Sequence, residues 1–333
     1  MKSKCLLKTA ALAAACVITL LLVWGIGIEP RLLEIKEETA KLPNLPRVWE
    51  GKRVALIADL QVGMWLDNTD AVRSAVKHVI AARPAAVLIA GDFVYNPTND
   101  EREETEREEF LEVDEEVNEA VALVRPLVEA GIETYAVLGN HDYGMMTREY
   151  AKNDYLARRL GERLSAAGVS VLDNAAAQIA SPSNGDSTNG NQIPSEALYV
   201  VGIGDSWAHN DRVGVALAQV PGDAARIAFM HNPDSFSKFP PHAAPLALAG
   251  HTHGGQIRLP FLPRWSWMSL VQDNAVYADG WITNFGQTGN HLYVNRGIGF
   301  SNVPVRINCR PELTIFTLRR ASTLSYSAGR QAL

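Results

Sequence analysis

The feature that most constrains this chain is a repeated pattern in which a short apolar run ends in a polar loop. The run at 54–58 is followed by Asp59 and Gln61, and the run at 86–90 is followed by Asp92. Runs of this length and character are typical of strands that are buried on both faces. The pattern recurs three more times, before GNHD (139–142), HN (231–232) and GHTHGGQ (250–256).

Helical segments alternate with these runs, as in the amphipathic stretch Thr69–Ala82. Alternation of this kind predicts an α/β fold in which the polar loops gather where the strands end. The 333 residues suffice for one large α/β domain of about 250 residues with appendages.

Composition excludes some classes of protein. The formal net charge is -6, so the chain lacks the basic field that nucleic-acid binding requires, and we expect no nucleic-acid partner. Of the three cysteines, Cys5 and Cys16 lie in the amino-terminal segment, which leaves Cys309 without a partner in the main domain. The sequence therefore predicts neither a disulfide framework nor a thiolate metal cluster.

The amino terminus carries a membrane signal. Lysines at positions 2, 4 and 8 precede the uncharged stretch Thr9–Ile28, which has about the length that crosses a bilayer as a helix. We interpret residues 1–28 as a single-pass transmembrane anchor, because the apolar run continues well past Ala13 and Ala15, the small-residue pattern of a cleaved signal peptide. Cleavage there and lipid attachment at Cys16 stay open as alternatives.

The rest of the chain divides into three parts. Residues 29–50 are charged and contain proline, which predicts a linker; residues 51–319 are expected to form the main domain, and residues 320–333 a flexible tail. Within the domain, Ser181–Ser195 is polar and rich in glycine, and we expect a mobile excursion there.

The polar loops together indicate a metal centre. Asp, Asn and His are ligands for hard or borderline divalent metals, and an Asp shared by two ligand sets could hold a pair of ions about 3.5–4 Å apart. Each loop alone is explained equally well as a turn or a hydrogen-bonded histidine. Five of them in series, each after an apolar run, favour metal binding.

These motifs resemble the calcineurin-like metallophosphoesterases. DLQ, GD, GNHD, the later His231 and GHTH match that family's D-x-H, G-D, G-N-H-[DE], H and G-H-x-H in order, over roughly residues 47–318. The stretches GHTHGGQIRLP and YVNRGIGFSNVPVRINCRPELTIFTL are similar to its membrane-anchored bacterial branch. The resemblance implies an α/β sandwich of two mixed β-sheets flanked by helices, with an N-terminal transmembrane helix. It also implies hydrolysis of phosphoric ester or pyrophosphate bonds.

The resemblance further implies two divalent metal ions. The first would be held by Asp59, Gln61, Asp92 and His253. The second would be held by Asp92, Asn140, His231 and His251, with Asp92 bridging the pair. His141 would act as hydrogen-bond donor or general acid for the leaving oxygen, and Asp142 would orient it.

Gln61 departs from the family pattern, which has a histidine at this position. An amide oxygen is a harder and weaker donor than imidazole, so we expect Mn²⁺ or Mg²⁺ in preference to Zn²⁺ or Fe. The first site could be occupied but looser, filled only when substrate binds, or lost. Its loss would make the chain a catalytically weakened metal-binding membrane scaffold, which is the alternative hypothesis.

The leading hypothesis is hydrolysis of a phosphodiester or pyrophosphate bond by a hydroxide that bridges the two ions. The bacterial branch includes phosphodiesterases and a UDP-2,3-diacylglucosamine pyrophosphatase of lipid A biosynthesis, which suggests a small-molecule or lipid-linked phosphate substrate. Candidate substrate contacts, from their positions beside motif loops, are His209, Arg258 and Arg296. The apolar segment Phe261–Leu270 is expected to be either part of the core or a lip on the membrane surface.

We expect the protein in the bacterial inner membrane. The lysines at the amino terminus predict a periplasmic domain. A substrate from lipid A synthesis would instead require a cytoplasmic domain, and the sequence leaves both orientations open.

Overall fold

A computed structural model of the protein describes residues 2–95, 106–180, 197–259, 266 and 278–321, without the side chains of residues 2–5 and 106–113. Three predictions fall outside this description: the excursion Ser181–Ser195, the lip Phe261–Leu270 apart from Ser266, and the tail from residue 322 onward.

The described helices begin with one long amino-terminal helix. They are α1 (Lys2–Leu22), α2 (Thr69–Ala82), α3 (Glu106–Glu129), α4 (Asp154–Ala166) and α5 (Val213–Leu217). Helix α1 continues directly into a π-helical segment, Val23–Ile28, and a 3-10 turn, Glu29–Arg31.

Twelve strands are described. They are β1 (Glu34–Leu42), β2 (Arg53–Ile57), β3 (Ala86–Ala90), β4 (Glu133–Val137), β5 (Ser170–Val171), β6 (Ala175–Ile179), β7 (Leu198–Gly202), β8 (Ala225–Phe229), β9 (Ala247–Ala249), β10 (Gly280–Ile282), β11 (Leu292–Val294) and β12 (Glu312–Arg320). All five apolar runs that end in polar loops are strands, as the sequence predicts.

The strands form two mixed sheets of six strands each. The first has the order β1-β12-β2-β3-β4-β5 and the second β10-β11-β9-β8-β7-β6. Strands β2 to β5 are parallel, whereas β12 runs antiparallel to β2. In the second sheet β7, β8, β9 and β11 are parallel, with antiparallel strands at both edges.

Successive residues of the central strands pack into different layers. On β2, Val54 and Leu56 lie in the apolar layer between the two sheets, whereas Ala55 and Ile57 lie beneath α2, α3 and α4. A third apolar cluster covers the outer face of the second sheet. Because the central strands are covered on both faces, their sequences are continuously apolar. The expected sandwich of two mixed sheets flanked by helices is confirmed.

The predicted linker at 29–50 is wrong. Residues Glu34–Leu42 form strand β1, which pairs in parallel with β12 along nine residues, and Trp49 is fully buried in the core. Strand β1 lies at the edge of its sheet, where charged residues are common because one side of the strand meets solvent. Its sequence, EIKEETAKL, alternates partly buried and exposed positions and so resembles a polar connection.

The amino-terminal helical segment is long and apolar enough to cross a membrane. It runs from Leu6 to Arg31, and most of its surface is exposed to solvent rather than packed on the domain. A soluble helix of this composition would bury its apolar side chains, so the segment is a candidate membrane span.

Candidate metal centre

The site lies at one edge of the sandwich. Strands β2, β3 and β4 are parallel neighbours in the first sheet, and β8 and β9 are parallel neighbours in the second, so each set ends at a common edge. The two sheets meet there, since the backbone N–H of His251 donates to the carboxylate of Asp59 at 3.0 Å. The five polar loops of the sequence are thereby brought together.

Asp59, Asp92 and His253 form one group of possible metal ligands. One ligand atom of each lies within 4.8 Å of the others, and all three side chains are buried. The Nε2 atom of His253 lies 3.5 Å from Oδ1 of Asp59. Its Nδ1 atom is buried without a hydrogen-bond partner among the described residues. Buried polar atoms are normally paired, so this arrangement fits a bound cation.

Gln61 adjoins the same group. Its Nε2 donates a hydrogen bond to Oδ2 of Asp92 at 2.8 Å, whereas its buried Oε1 has no partner in the described part of the chain. An unpaired buried oxygen costs about 1–3 kcal/mol unless a water or a cation meets it. Since the amide oxygen is the atom that would bind metal, this geometry favours a first site that is occupied but looser.

The second group converges more closely. The Oδ1 atom of Asn140 lies 3.0 Å from both Nε2 of His231 and Nδ1 of His251, and these two nitrogens are 3.1 Å apart. Oδ2 of Asp92 lies 3.2 Å from Nε2 of His231, so Asp92 belongs to both groups. The Nδ1 atom of His231 pairs with the carbonyl of Ala90 at 2.8 Å, which orients the ring and directs Nε2 toward the group.

The electrostatics of the cluster suit a cation. Burial raises the pKa of Asp59 to about 7. Burial also opposes ionisation of Asp92, but the neighbouring His231 lowers the pKa of Asp92 overall. Burial lowers the pKa of His231, and the carboxylate of Asp92 overrides this effect and raises it to about 10. A proton on His231 and a divalent cation would therefore compete for the same nitrogen.

The backbone of these loops is strained. Six of their residues other than glycine have positive φ, namely Asp59, Gln61, Asp92, His251, His253 and Gln256. This region is sparsely populated for such residues, and clusters of them mark functional sites held in place by the surrounding structure.

His141 and Asp142 lie beside the candidate metal ligands, and among the described residues the carboxylate of Asp142 makes no hydrogen bond to the imidazole that it is expected to orient. Its carboxylate accepts four backbone N–H groups, from Asp92, Phe93, Val94 and Gly139. The ring of His141 is oriented instead by Tyr95, whose carbonyl accepts from Nδ1 at 2.8 Å and whose ring stacks on it with centroids 5.2 Å apart. Asp142 holds the loop of Asp92, and Tyr95 positions His141.

Gly139 lies where two loops approach closely. A Cβ atom at this position would lie 2.3 Å from Oδ1 of Asp92 and 2.5 Å from Cγ of His231. Only glycine fits between these two ligands without displacing them.

The predicted substrate contacts are less well supported. Arg296 is mostly buried and pairs with Glu312 at 2.7 Å and Glu34 at 2.8 Å, and Arg258 pairs with Asp279 at 2.5 Å. Both guanidinium groups are engaged within the chain, which gives no support to their role in phosphate binding, and that role stays a prediction. His209 lies exposed on the loop after β7, and its role stays a prediction.

Two further residues support the site. The fully buried Arg306 donates to the carbonyls of His253 at 3.4 Å and Arg296 at 2.9 Å, which ties the ligand loop to the segment after β11. Trp207 packs edge-on against His251, with ring centroids 4.8 Å apart. The glycine-rich NRGIG that follows the apolar run LYV repeats the pattern of a strand and a polar loop, so it could have indicated the loop whose carbonyls accept from Arg306, although not Arg306 itself.

The fold and the donors define a class of protein. Two groups of Asp, Asn and His that share the buried carboxylate of Asp92, at the carboxyl ends of strands in an α/β sandwich, are suited to a binuclear metal-dependent hydrolase. A model of the calcineurin-like phosphoesterase family matches residues 52–255. The chain belongs to this family, and it is a hydrolase that acts on phosphoester bonds.

Relatives extend this similarity over most of the chain. It is 30% identical over 267 residues to the phosphodiesterase YaeI of Escherichia coli (strain K12), covering 80% of this chain and 82% of that protein. It is 25% identical over 293 residues to the uncharacterized metallophosphoesterase YkuE of Bacillus subtilis (strain 168), covering 88% and 87%. It is 26% identical over 307 residues to the UDP-2,3-diacylglucosamine pyrophosphatase LpxG of Chlamydia trachomatis, covering 83% and 87%.

Proposed function

We propose that this protein is a membrane-anchored phosphoesterase that uses two divalent metal ions to hydrolyse a phosphodiester or pyrophosphate bond. The observation that carries the proposal is the convergence of the donor atoms of Asn140, His231 and His251 within 3.0–3.1 Å of one another, beside the shared Asp92. The oxygen donors and the amide of Gln61 favour Mn²⁺ or Mg²⁺ over Zn²⁺ or Fe.

The described residues would divide the chemistry between them. Bound cations at the two groups would supply an activated water and neutralise the phosphoryl oxygens. The Nδ1–H of His141 donates to the Tyr95 carbonyl, which can only accept, so Nε2 carries a proton only when the ring is an imidazolium. In that protonated form His141 would deliver the Nε2 proton to the leaving oxygen and return to the neutral Nδ1–H tautomer. Stacking on Tyr95 fixes the plane of the imidazole and so the direction of that proton.

A lipid-linked phosphate is the proposed substrate class. Two observations support it: the amino-terminal helix that is suited to a membrane, and the similarity to a protein named as a UDP-2,3-diacylglucosamine pyrophosphatase. UDP-2,3-diacylglucosamine, and with it lipid A biosynthesis, is one candidate; a diester is the other, supported by the relative named as a phosphodiesterase. The proposed location is the bacterial inner membrane, with the domain periplasmic by the lysine rule or cytoplasmic for a lipid A precursor.

Metal content and diester hydrolysis test the proposal together. The full chain should bind about two Mn²⁺ ions and release p-nitrophenol from bis-p-nitrophenyl phosphate in a Mn²⁺-dependent manner. Asp92→Asn and His251→Ala should each lose metal and lower kcat/KM by at least about 100-fold, because each removes a ligand. Asp70→Asn, at an exposed position of α2, is the matched control and should change neither quantity. Full activity in both ligand variants would refute the enzyme.

The alternative is the metal-binding scaffold with a weakened first site. It is favoured by one observation, the amide of Gln61 where the family has an imidazole. The variant Gln61→His should shift the metal preference toward Zn²⁺ if this side chain is a ligand. A natural chain that binds one ion and hydrolyses no phosphoester, together with an unchanged metal profile in the variant, would favour the scaffold.

A further inference from the structure

The amino-terminal helix is joined to the domain without a flexible segment. Helical structure continues from α1 through Val23–Ile28 and Glu29–Arg31, and strand β1 begins three residues later at Glu34. A helix that ran into a linker would leave the domain free to turn. Here only Leu32 and Leu33 separate the helical turn from a strand of the first sheet.

The end of this helix is docked on the loop that precedes β12. The carboxylate of Glu29 is 3% exposed and accepts the backbone N–H groups of Asn308 at 2.9 Å and Cys309 at 2.5 Å. The backbone N–H of Arg306 donates to the carbonyl of Gly25 at 2.9 Å. A buried carboxylate that accepts two backbone N–H groups holds its neighbours in one geometry. Residues 24–31, which make these contacts, form the junction between the helix and the domain.

Close packing reinforces these hydrogen bonds. A Cβ atom at Gly25 would lie 2.8 Å from Cγ1 of Ile307, so only glycine lets the helix approach the loop this closely. Within the junction, the indole Nε1 of Trp24 donates a hydrogen bond to Oε2 of Glu29 at 2.5 Å. The junction is therefore a packed contact and not a tether.

The loop that receives the junction also supports the metal centre. The thiol of Cys309 lies 3.3 Å from the carbonyl of His253, and the guanidinium of Arg306 donates to the same carbonyl at 3.4 Å. His253 is a member of the first ligand group. One short chain of contacts thus connects the end of the membrane helix to a metal-ligand loop.

Topology places the junction at the metal-bearing edge of the sandwich. Strand β1 runs parallel to β12, which is antiparallel to β2, so the amino end of β1 lies level with the carboxyl end of β2. In register, Glu34 is opposite Glu312, and Thr314 is opposite Leu56. The carboxyl end of β2 carries Asp59, so the helix enters the domain at the edge where the ligands gather.

Exposed apolar side chains occur on the segments around the junction. The exposed residues are Leu32, Val303 and Leu259. Leu32 follows the junction directly, and Val303 lies on the loop before β12, where its carbonyl accepts from the side chain of Gln256. Leu259 follows Arg258, whose backbone N–H donates to the carbonyl of Ile307 on the same loop. These three side chains are at least 36% exposed. Apolar residues next to the end of a membrane helix suit the boundary of a bilayer, where they enter the lipid while the backbone stays hydrated.

We propose that the junction holds the metal-bearing edge of the sandwich against the bilayer, so that the enzyme takes phosphate groups of lipids in the membrane that anchors it. This inference rests on the proposed function for its substrate. It adds a fixed orientation, in which the lipid surface faces the edge of the sandwich that carries residues 301–307 of the loop before β12. A water-soluble phosphoester would gain nothing from this orientation.

The orientation is tested by lipid quenching of a fluorophore on the full chain in vesicles. In a background of Cys5→Ala and Cys16→Ala, one label is attached through Val303→Cys near the junction and a matched one through Ala130→Cys at the opposite edge. A nitroxide lipid labelled near its headgroup should quench the first strongly and leave the second unquenched. Equal quenching at the two positions overturns the proposal, whether or not the enzyme is active.

The substrate is tested with two esters that share one reacting group. Hexadecyl p-nitrophenyl phosphate resides in the vesicle, whereas methyl p-nitrophenyl phosphate is free in solution. A ten-residue Gly-Ser insertion after Leu22 leaves the junction on the domain and frees the domain from the anchor. We expect it to lower turnover of the hexadecyl ester about tenfold and to leave the methyl ester unchanged, because the domain loses its orientation toward the lipid.

The outcomes are distinguishable from failure of the proposed function. If neither ester is hydrolysed with any divalent metal, the diester branch of the proposed function is refuted, and the quenching result still decides the orientation. If the insertion leaves hexadecyl ester turnover intact, or lowers turnover of both esters alike, the orientation has no role in substrate selection and the proposal is overturned.

Discussion

Replacing Asp142 with asparagine separates two roles for this residue. The resemblance to the family implies that Asp142 orients His141, whereas in the structure its two oxygens accept the N–H groups of Asp92, Phe93, Val94 and Gly139. All four partners are donors, so the side chain must act as an acceptor at both oxygens. Burial, and next the neighbouring carboxylate of Asp92, raise the pKa of Asp142 to about 8. The four N–H groups oppose that rise because they stabilise the ionised form, and with donors at both oxygens the geometry is that of an ionised carboxylate.

The size of the effect follows from the hydrogen bonds. An asparagine keeps one oxygen but presents an NH₂ group to the other pair of N–H donors, so two hydrogen bonds are lost. Hydrogen bonds to a charged group contribute about 1.5–3 kcal/mol each, and the variant avoids part of the cost of burying a charge. We expect Asp142→Asn to lower the free energy of unfolding by about 2–4 kcal/mol. Metal should bind more weakly as well, since the loop of Asp92 is displaced.

Urea unfolding of the full chain in detergent, followed by tryptophan fluorescence, measures this difference. Asp205→Asn is the matched control, because Asp205 is equally buried but only its Oδ1 accepts N–H groups, from Trp207 and Ala208. Its Oδ2 has no partner among the described residues, so the NH₂ group can take that place and the loss should stay below about 1 kcal/mol. If Asp142→Asn were as stable as the control and changed only the pH dependence of kcat, the orienting role would be correct.

Three other outcomes follow from the structure. Burial lowers the pKa of His231, but the Asp92 carboxylate raises it to about 10, so a cation that binds at neutral pH must displace the proton on His231. The metal affinity measured by calorimetry should therefore rise about tenfold per pH unit from pH 6 to 8. A flat profile would contradict the pairing of His231 with Asp92. The variant Gly139→Ala should bind fewer metal ions, counted by native mass spectrometry, because its Cβ would lie 2.3 Å from Oδ1 of Asp92. Retention of two ions would show that the loops can move apart. Burial raises the pKa of the Cys309 thiol, so iodoacetamide should modify this cysteine only in urea; rapid alkylation of the folded chain would show that the loop opens.

The loops of the candidate metal ligands were predictable because their signal is local. Each candidate ligand follows the end of a buried strand by two to four residues, and strands of this kind are recognised from continuous apolar runs. Parallel strands end at a common edge, so Asp59, Asp92 and Asn140 could be placed together before any coordinate was known. The order of the motifs along the chain then indicated the family.

The partners of single side chains were not predictable in this way. Arg296 looks like a free phosphate ligand in the sequence, yet it pairs with Glu34, which is 262 residues away. Asp142 follows His141 directly, yet its carboxylate accepts backbone groups from the previous strand's loop, about 50 residues earlier. Such contacts depend on which strands pair and in which register, and a local pattern does not specify this.

Strand β1 shows the difference most clearly. The sequence by itself determined the apolar amino-terminal helix, the central strands and the residue types at the metal centre, because hydrophobic burial and ligand chemistry are properties of short segments. The charged residues of β1 read as a linker, since an edge strand needs little apolar surface. Only the tertiary structure decided that this segment pairs with β12. Because that pairing sets the direction of β1, it also decided that the apolar amino-terminal helix meets the domain at the edge where the candidate metal ligands gather.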